Sequence, residues 1–276
     1  MAPRGANRIL PWVIPQFRAG TPFNSFNPRA LWNQGQTGIL IVRAMVKSSK
    51  VACGEDRRGN RRPASPPGGR STARREQQRS VETRIAILTA ALAEFAENGY
   101  DAASTRNIGR RAGIHNTLLT YHFLNKEALW RATAEHFFGE IAAQLSQTAA
   151  DDPSLSPMEK LREEFHSFFK FIIARPDFHQ FMIRESQPGN PRLPWLVETF
   201  ITPIMGRTVP LIQAVQQDGR LPQGHPVLVY YFLVSVLTVL SAHSAEIELH
   251  SGVNPLESTR AGEYWDLIDR MVFAAG

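Results

Sequence analysis

Cysteine is almost absent from this sequence, and so is any long uninterrupted apolar segment. Cys53 is the single cysteine among 276 residues, which excludes an intrachain disulfide and any ligand set of the Cys-x-x-Cys kind. The longest apolar run, residues 227–240, is shorter than the roughly 18 residues that a membrane span needs. The N-terminal apolar patch is broken by Pro11 and Pro15, so it makes a poor signal peptide. We therefore expect a protein of a reducing, cytoplasmic compartment with no membrane segment.

Motifs for catalysis and for cofactor binding are also missing. The sequence contains no G-x-S-x-G elbow, no Walker loop and no H-E-x-x-H zinc motif. His243, Glu246 and His250 fall at helical spacings of three and four, but no fourth ligand is visible, and a solvated helix end explains the same pattern. The sequence thus predicts no enzyme, no cofactor and no metal site.

Charge is distributed unevenly along the chain. The formal net charge is +6, yet residues 1–56 carry +5 and residues 57–84 carry +7, so the remaining 192 residues sum to −6. Residues 1–78 also lack a sustained helical or strand period and contain too few large apolar side chains to offset the entropy of ordering. We therefore expect residues 1–78 to be a disordered basic extension. Such an arm is typical of contacts with polyanions, and a solvated tail is the alternative.

The start of the chain raises a separate hypothesis. Met45 is an alternative start, and the stretch before it is irregular in composition. On this hypothesis, residues 1–44 do not belong to the native protein.

From about Ser80 onward the apolar residues recur only at helical spacing. Ile85, Leu88 and Leu92 begin a first helix, which we expect Asn98 and Gly99 to end. Prolines 203 and 210 should kink or split the helix in which they lie. The sequence therefore predicts an all-α chain, whose further helices cover residues 104–112, 116–123, 126–147, 157–174, 176–186, 192–217, 225–250 and 257–274.

Two short helices within residues 104–126 have a layout that is typical of a recognition motif. Ser104 can cap the first helix, and Gly113 lies where a sharp turn needs a positive φ. The apolar residues that two such helices can share are Ile108, Ala112, Ile114, Leu119 and Phe123. This is the pattern of a helix-turn-helix, whose second helix enters the major groove of DNA. A helical hairpin within any globular domain is the alternative.

Residues 90–129, AALAEFAENGYDAASTRNIGRRAGIHNTLLTYHFLNKEAL, resemble the N-terminal DNA-binding domain of tetracycline-repressor (TetR) family regulators. Several separated elements match at family spacing: Thr105-Arg106, Ala112-Gly113-Ile114, Tyr121-His122-Phe123 and Asn125 to Leu129. The resemblance implies a three-helix DNA-binding domain at residues 79–129. It also implies a larger helical domain for ligand sensing and dimerisation at residues 130–276.

The resemblance further implies a role and a set of DNA-binding residues. The role is that of a homodimeric, cytoplasmic, nucleoid-associated bacterial regulator, usually a repressor, that leaves a palindromic double-stranded operator when a small molecule binds. At the matching positions, Thr105, Arg106 and Lys126 would contact phosphate groups. The recognition helix would begin with His115, Asn116, Thr117 and Leu118, and Thr120 and His122 would face the DNA. Tyr121 would serve in packing or in contact with the DNA. His115, Leu118 and Thr120 depart from the usual family residues, so we expect an operator particular to this protein.

In the C-terminal part, the apolar faces allow either core packing or ligand binding. We expect a small apolar or amphipathic effector, lined by Phe165, Phe168, Phe169, Ile172, Phe181, Met182, Trp195, Phe200 and Met205. The helices near 225–250 and 257–274 are apolar on more than one side, which predicts a four-helix dimer interface, with burial inside one chain as the alternative. Two other functions stay open: a helical carrier or enzyme with a vestigial helix-turn-helix, and a DNA-associated scaffold without a ligand.

Overall fold

The computed structural model describes residues 69–146 and 152–274, and every regular element within these residues is helical. Two π-helical turns, Val197–Ile201 and Asp269–Phe273, extend the helices next to them. The α-helices are α1 Gly69–Ala102, α2 Thr105–Arg111, α3 Asn116–His122, α4 Lys126–Ser146, α5 Pro157–Ala174, α6 Pro176–Glu185, α7 Leu193–Leu196, α8 Thr202–Gln217, α9 Pro226–Ala242, α10 Ser244–Ser251 and α11 Ser258–Ile268. The all-α prediction is confirmed for the described residues.

Helix α1 begins earlier than the sequence pattern predicts. Residues 69–78 are helical, so the prediction of disorder was wrong for them, while residues 1–68 lie outside the described residues. Arg, Glu and Gln have good helix propensity, and adding a turn to an existing helix costs far less than nucleating one. This part of α1 can therefore stay helical although its described side chains are exposed. Near its other end, Gly99 adopts φ 72° and kinks the helix where Asn98 and Gly99 were expected to end it.

Two helices of the C-terminal part differ from their predicted form. The predicted helix 192–217 contains the π-helical turn Val197–Ile201 immediately before Pro203, whose missing N–H prevents a regular bond to the preceding turn. The predicted single helix 225–250 is wrong, because the chain leaves helical geometry at His243 and α9 and α10 are bent by 54°. No described helix can cross a membrane by itself, and only α9 and α10 taken together reach the necessary length and composition.

Two apolar clusters form the core. The first joins the short helices to the rest of the chain, since it contains Ile108, Leu119, Trp130 and Phe181 from α2, α3, α4 and α6. The second is built by α5, α8, α9 and α11 around residues such as Leu161 and Trp265. Helix α4 runs without a break across the predicted domain boundary at 129 and 130. The helix-turn-helix thus shares one continuous core with the adjoining part of the C-terminal region.

Candidate nucleic-acid interface and ligand cavity

The turn between α2 and α3 has the geometry that the sequence predicts. Gly113 adopts φ 68°, and the Ile114 N–H donates to the carbonyl of Gly109 at 2.9 Å. Ile108, Leu119 and Phe123 are buried, while Ala112 and Ile114 are half-buried against the same core. Sequence reasoning missed Gly109, at which an added Cβ would lie 3.3 Å from the Ile114 carbonyl oxygen. The absence of a side chain there lets α2 and α3 approach closely.

A buried carboxylate on α1 holds both ends of α2. Glu94 is 1% exposed, and its Oε1 accepts from the Ser104 backbone N–H at 3.1 Å and from the Asn107 side-chain amide at 3.3 Å. Its Oε2 lies 3.2 Å from Nε of Arg111, at the other end of α2. The negative charge also stabilises the N-terminal end of the helix dipole. Glu94 therefore fixes the position of α2 on α1. The only signal for this role in the sequence is an acidic residue at a position that helical periodicity places in the core.

The outward side of α3 presents the residues expected to read DNA. Leu119 is the buried residue of this helix, and the side chains exposed to solvent are His115, Asn116, Thr117, Leu118, Thr120 and Tyr121. Tyr121 is 82% exposed, so packing does not account for it. His115 occupies the N-cap position and makes no capping hydrogen bond, as its poor capping propensity predicts. The helix is thus held by one face while the opposite face stays open.

The charges around α3 are of one sign. No Asp or Glu occurs between Asp101 and Glu127, a stretch that contains three arginines and Lys126. Arg106 and Arg110 are exposed on α2, whereas Arg111 is bound to Glu94 and Glu97. The exposed Arg106 and Arg110 are suited to attract the phosphate backbone of nucleic acids.

Lys126 is placed differently from the other predicted phosphate ligands. Its Nζ donates to the backbone carbonyls of Tyr100, Asp101 and Ala103 at 2.9, 3.1 and 3.3 Å. It also lies 4.7 Å from the centre of the Tyr100 ring. An ammonium group has three N–H donors, so this arrangement uses all of them to satisfy the end of α1. The structure thus shows Lys126 bonded to the end of α1, and its predicted phosphate contact stays a prediction.

The C-terminal end of α3 rests against α1. The Arg84 guanidinium lies 4.6 Å from the centre of the Phe123 ring, in cation–π geometry. Burial and the nearby Arg84 lower the pKa of His122, which is therefore neutral at pH 7. A neutral imidazole can donate from one ring nitrogen and accept at the other. Thr105 is half-buried at the start of α2, next to a shallow groove that Thr120 and Lys126 also line.

A cavity of about 280 Å³ lies in the C-terminal region between α4, α5, α6, α8 and α9. Its wall is mainly apolar, and its size is near the lower end of the range for small-molecule sites. Four of the nine residues predicted to line a ligand site do so: Phe165, Phe168, Ile172 and Met182.

The other five predicted residues do not line this cavity. Their side chains pack within the core or at its edge, and four of the five are aromatic residues in contact with other rings. Phe169 contacts Trp265, Phe181 and Trp195 contact Trp130, Phe200 stacks on Phe138 at 4.3 Å, and Met205 is half-buried elsewhere on α8. The apolar pattern cannot distinguish these positions from the lining ones, since both kinds face inward. Phe169, Phe181, Trp195, Phe200 and Met205 thus lie outside the wall of this cavity, and a ligand contact at these residues stays a prediction.

A few polar groups interrupt the apolar wall. Glu164 is 4% exposed, and its Oε1 accepts from the Thr208 hydroxyl at 2.7 Å. Arg207, which is not part of the lining, places Nε 3.6 Å from Oε2 of the same carboxylate. Burial raises the pKa of Tyr230, so its hydroxyl keeps its proton. Burial also lowers the pKa of His179, and its buried Nδ1 has no hydrogen-bond partner.

Helix α6 connects the cavity to the DNA-binding domain. His179 and Met182 on one side of α6 line the cavity. From another side, Arg184 donates to the carbonyls of Ala96 and Glu97 at 3.2 and 2.7 Å. The Glu97 side chain in turn binds Arg111 of α2. One short helix therefore contacts both the cavity and the support of the helix-turn-helix.

An apolar surface remains open on α9 and near the C-terminus. Leu228, Phe232 and Met271 are 69, 61 and 70% exposed. Exposed apolar groups of this size are typical of protein–protein contacts when they cluster. Among the described residues, no group of three or more His, Cys, Asp or Glu side chains could hold a metal ion, and His243 bonds to Glu246 instead.

The fold and the outward polar face of α3 define a helical protein with a helix-turn-helix domain. Comparison with known proteins agrees. Residues 87–133 match the family model described as "Bacterial regulatory proteins, tetR family". Over these residues, which include the helix-turn-helix and the start of α4, the chain is similar to transcriptional regulators of the TetR family.

Two curated relatives illustrate the range of this family. The HTH-type transcriptional activator FasR of Mycolicibacterium smegmatis is 32% identical over 127 residues, which are 45% of this chain and 53% of FasR. The HTH-type transcriptional repressor NicS of Pseudomonas putida is 27% identical over 155 residues, which are 54% of this chain and 70% of NicS. The match to FasR thus spans only about half the length of that relative.

Solved structures show the same fold over a longer stretch. A candidate fatty acid metabolism regulator of Clostridium perfringens superposes with a TM-score of 0.56 at 18% identity, covering 69% of this chain and 98% of that one. At this level of identity the similarity establishes the fold, in which a helix-turn-helix domain precedes a larger helical domain.

Proposed function

We propose that this protein is a homodimeric transcriptional regulator that binds a palindromic operator through α2 and α3. In this proposal an apolar or amphipathic small molecule enters the C-terminal cavity and releases the DNA. The open polar face of α3, which is attached to the core through Leu119, is the observation that carries the proposal. Repression is the favoured sense, since two similar regulators, NicS and IcaR of Staphylococcus epidermidis, are named a repressor and a negative regulator, whereas FasR is named an activator.

The contacts to DNA follow from the exposure of the side chains. Asn116 and Thr117 lie in the first turn of α3, where side chains of a recognition helix reach base edges. Arg106, exposed at the start of α2, is suited to a phosphate. A carrier or an enzyme would have no use for an outward polar helix surrounded by positive charge, so the vestigial alternative is less well supported.

Ligand control requires a link between the cavity and α2. Helix α6 supplies one, because it lines the cavity and holds the end of α1 through Arg184. A ligand that moves α6 would move the Glu97 segment and hence the partner of Arg111. We infer that the ligand shifts the angle of the DNA-binding domain in this way.

Binding assays with base-contact variants test the proposal. Operator fragments are first selected from genomic DNA with the purified full chain and are then sequenced. Replacing Asn116 or Thr117 by Ala should weaken the binding free energy for the selected operator by about 1–3 kcal/mol and change that for unrelated DNA little. Gln213→Ala, at an exposed site on α8, is the matched control and should change neither. Recovery of no preferred fragment, or equal losses on all DNA, would contradict the proposal.

The dimer has its own test. Two copies would cover the exposed apolar groups of α9 and the C-terminal helix. Phe232→Glu combined with Met271→Glu should give monomers in sedimentation velocity at micromolar concentration, where the wild type sediments as a dimer. Val81→Glu, on exposed α1, should leave the dimer intact. A monomeric wild type would rule out this part of the proposal.

A further inference from the structure

The charge that faces the C-terminal cavity is negative. Glu164 is the one acidic residue in the lining, and the lining contains no Lys or Arg. Arg207 stands behind the carboxylate, outside the lining, with its Nε 3.6 Å from Oε2. A ligand group that enters the cavity therefore meets an oxygen acceptor with a negative charge before it meets any cation.

The remaining wall is suited to an apolar body of limited length. Glu164 and Ile172 both line the cavity from α5, and eight residues of α-helix span about 12 Å. Between them lie Phe165 and Phe168, and Val234 faces them from α9. His179 lines the cavity from α6, and its Nδ1 is buried. The wall thus presents a carboxylate and an imidazole among mainly apolar side chains.

From this arrangement we infer that the effector is an amphiphile whose polar end donates hydrogen bonds to Glu164, such as an amine or an alcohol. This inference rests on the proposed function and narrows its ligand class. A carboxylate accepts hydrogen bonds and cannot donate them, so an amine or a hydroxyl complements it. A ligand carboxylate or phosphate would instead place a second negative charge beside Glu164 in a mainly apolar site, where charge is less well solvated than in water. The Thr208 hydroxyl already orients Glu164, which limits the cost of ordering it on binding.

Three probes that share one alkyl chain separate the alternatives: decylamine, decanol and decanoate. Their affinities for the purified full chain are measured at pH 7 by titration calorimetry, below the concentrations at which they form micelles. Decylamine should bind at least tenfold more tightly than decanoate, with decanol in between. Equal or tighter binding of decanoate overturns the inference, and it needs no variant to do so.

A matched pair of variants assigns the selectivity to one side chain. Glu164→Gln keeps the size of the residue and removes its charge, so the preference for decylamine over decanoate should fall at least tenfold. Glu163→Gln, the neighbouring residue outside the lining, should keep the preference. Selectivity that persists in Glu164→Gln overturns the inference. Release of operator DNA, measured with the same probes, separates the two proposals: if decanoate binds and releases DNA, the proposed function stands while the inference fails. If no probe binds, both the inference and the ligand part of the proposed function fail.

Discussion

At the scale of single residues, a few buried or fully bonded polar groups determine the geometry of the DNA-binding domain. Glu94 and Lys126 are the clearest, because each satisfies backbone groups that would otherwise remain unpaired at a helix end. Neither residue belongs to α3. They fix the positions of α2 and of the end of α1.

Replacement of Glu94 tests the first of these roles. Glu94→Gln removes the negative charge between the N–H of Ser104 and the Arg111 guanidinium, so we expect the free energy of unfolding to fall by about 1.5–3 kcal/mol. Glu97→Gln breaks an exposed pair with the same arginine and should cost less than about 1 kcal/mol. Urea denaturation of both variants gives the comparison. Equal losses would mean that burial of Glu94 contributes nothing.

Lys126 offers a prediction that separates structure from DNA contact. Lys126→Met removes three bonds to backbone carbonyls, and we expect the free energy of unfolding to fall by about 1–3 kcal/mol. The slope of log affinity for DNA against log salt should stay unchanged. Arg106→Gln should do the reverse, leaving stability intact and reducing the slope by about 0.9. A reduced slope in Lys126→Met with normal stability would instead support a direct contact between Lys126 and a phosphate.

At the scale of elements, apolar periodicity predicted the bounds of most helices well. Charge patterns predicted fewer features of the helices. The bounds of α5 match the predicted 157–174, because Ser156 and Glu159 form a capping box and Pro157 begins the helix. The start of α1 was missed, because the described side chains near it, from Arg74 onward, are exposed and leave no apolar period in the sequence. The break at His243 was missed for the opposite reason, since the apolar pattern continues through it.

The early turns of α1 carry a testable charge. Arg74, Arg75 and Arg79 are exposed, and α1 passes the C-terminal end of α3 at Arg84. We expect these arginines to contact phosphates beside the operator. Replacing all three by Gln should reduce the salt slope of DNA binding by roughly 2–3, at about 0.9 per phosphate. Arg270→Gln, near the C-terminus, is the control and should change nothing. An unchanged slope in the triple variant would mean that this part of α1 is a solvated helix that contacts no phosphates.

At the scale of the whole molecule, burial of histidines makes stability depend on pH. Burial lowers the pKa values of His122, His136, His166 and His179 in the folded state. Below their unfolded pKa of about 6.5, the unfolded chain binds protons that the folded chain does not. The stability that neutral histidines contribute is therefore complete above about pH 6.5 and is lost as the pH falls through the folded pKa values.

We expect the free energy of unfolding to be lower at pH 5.5 than at pH 7.5, as measured by urea denaturation. Replacing His136 and His179 together by Gln should reduce this difference, whereas His225→Gln, at an exposed site, should not. Burial raises the pKa values of Glu135 and Asp177, which makes the folded state less stable as the pH rises. This effect is opposite to that of the histidines and occurs in more acidic solutions. Equal stability at the two pH values would contradict the prediction.

The sequence by itself determined the class of this protein and the helix-turn-helix. Helical periodicity, the turn glycine Gly113 and the polar residues of α3 are local features, so they appear in order along the chain. Only the tertiary structure decided which inward aromatic residues line the cavity and which fill the core. It alone placed Lys126 on the end of α1, Glu94 across α2, and Glu164 in the cavity wall. These roles depend on contacts between residues far apart in the chain, and periodicity reports which side of a helix is buried without reporting what it is buried against.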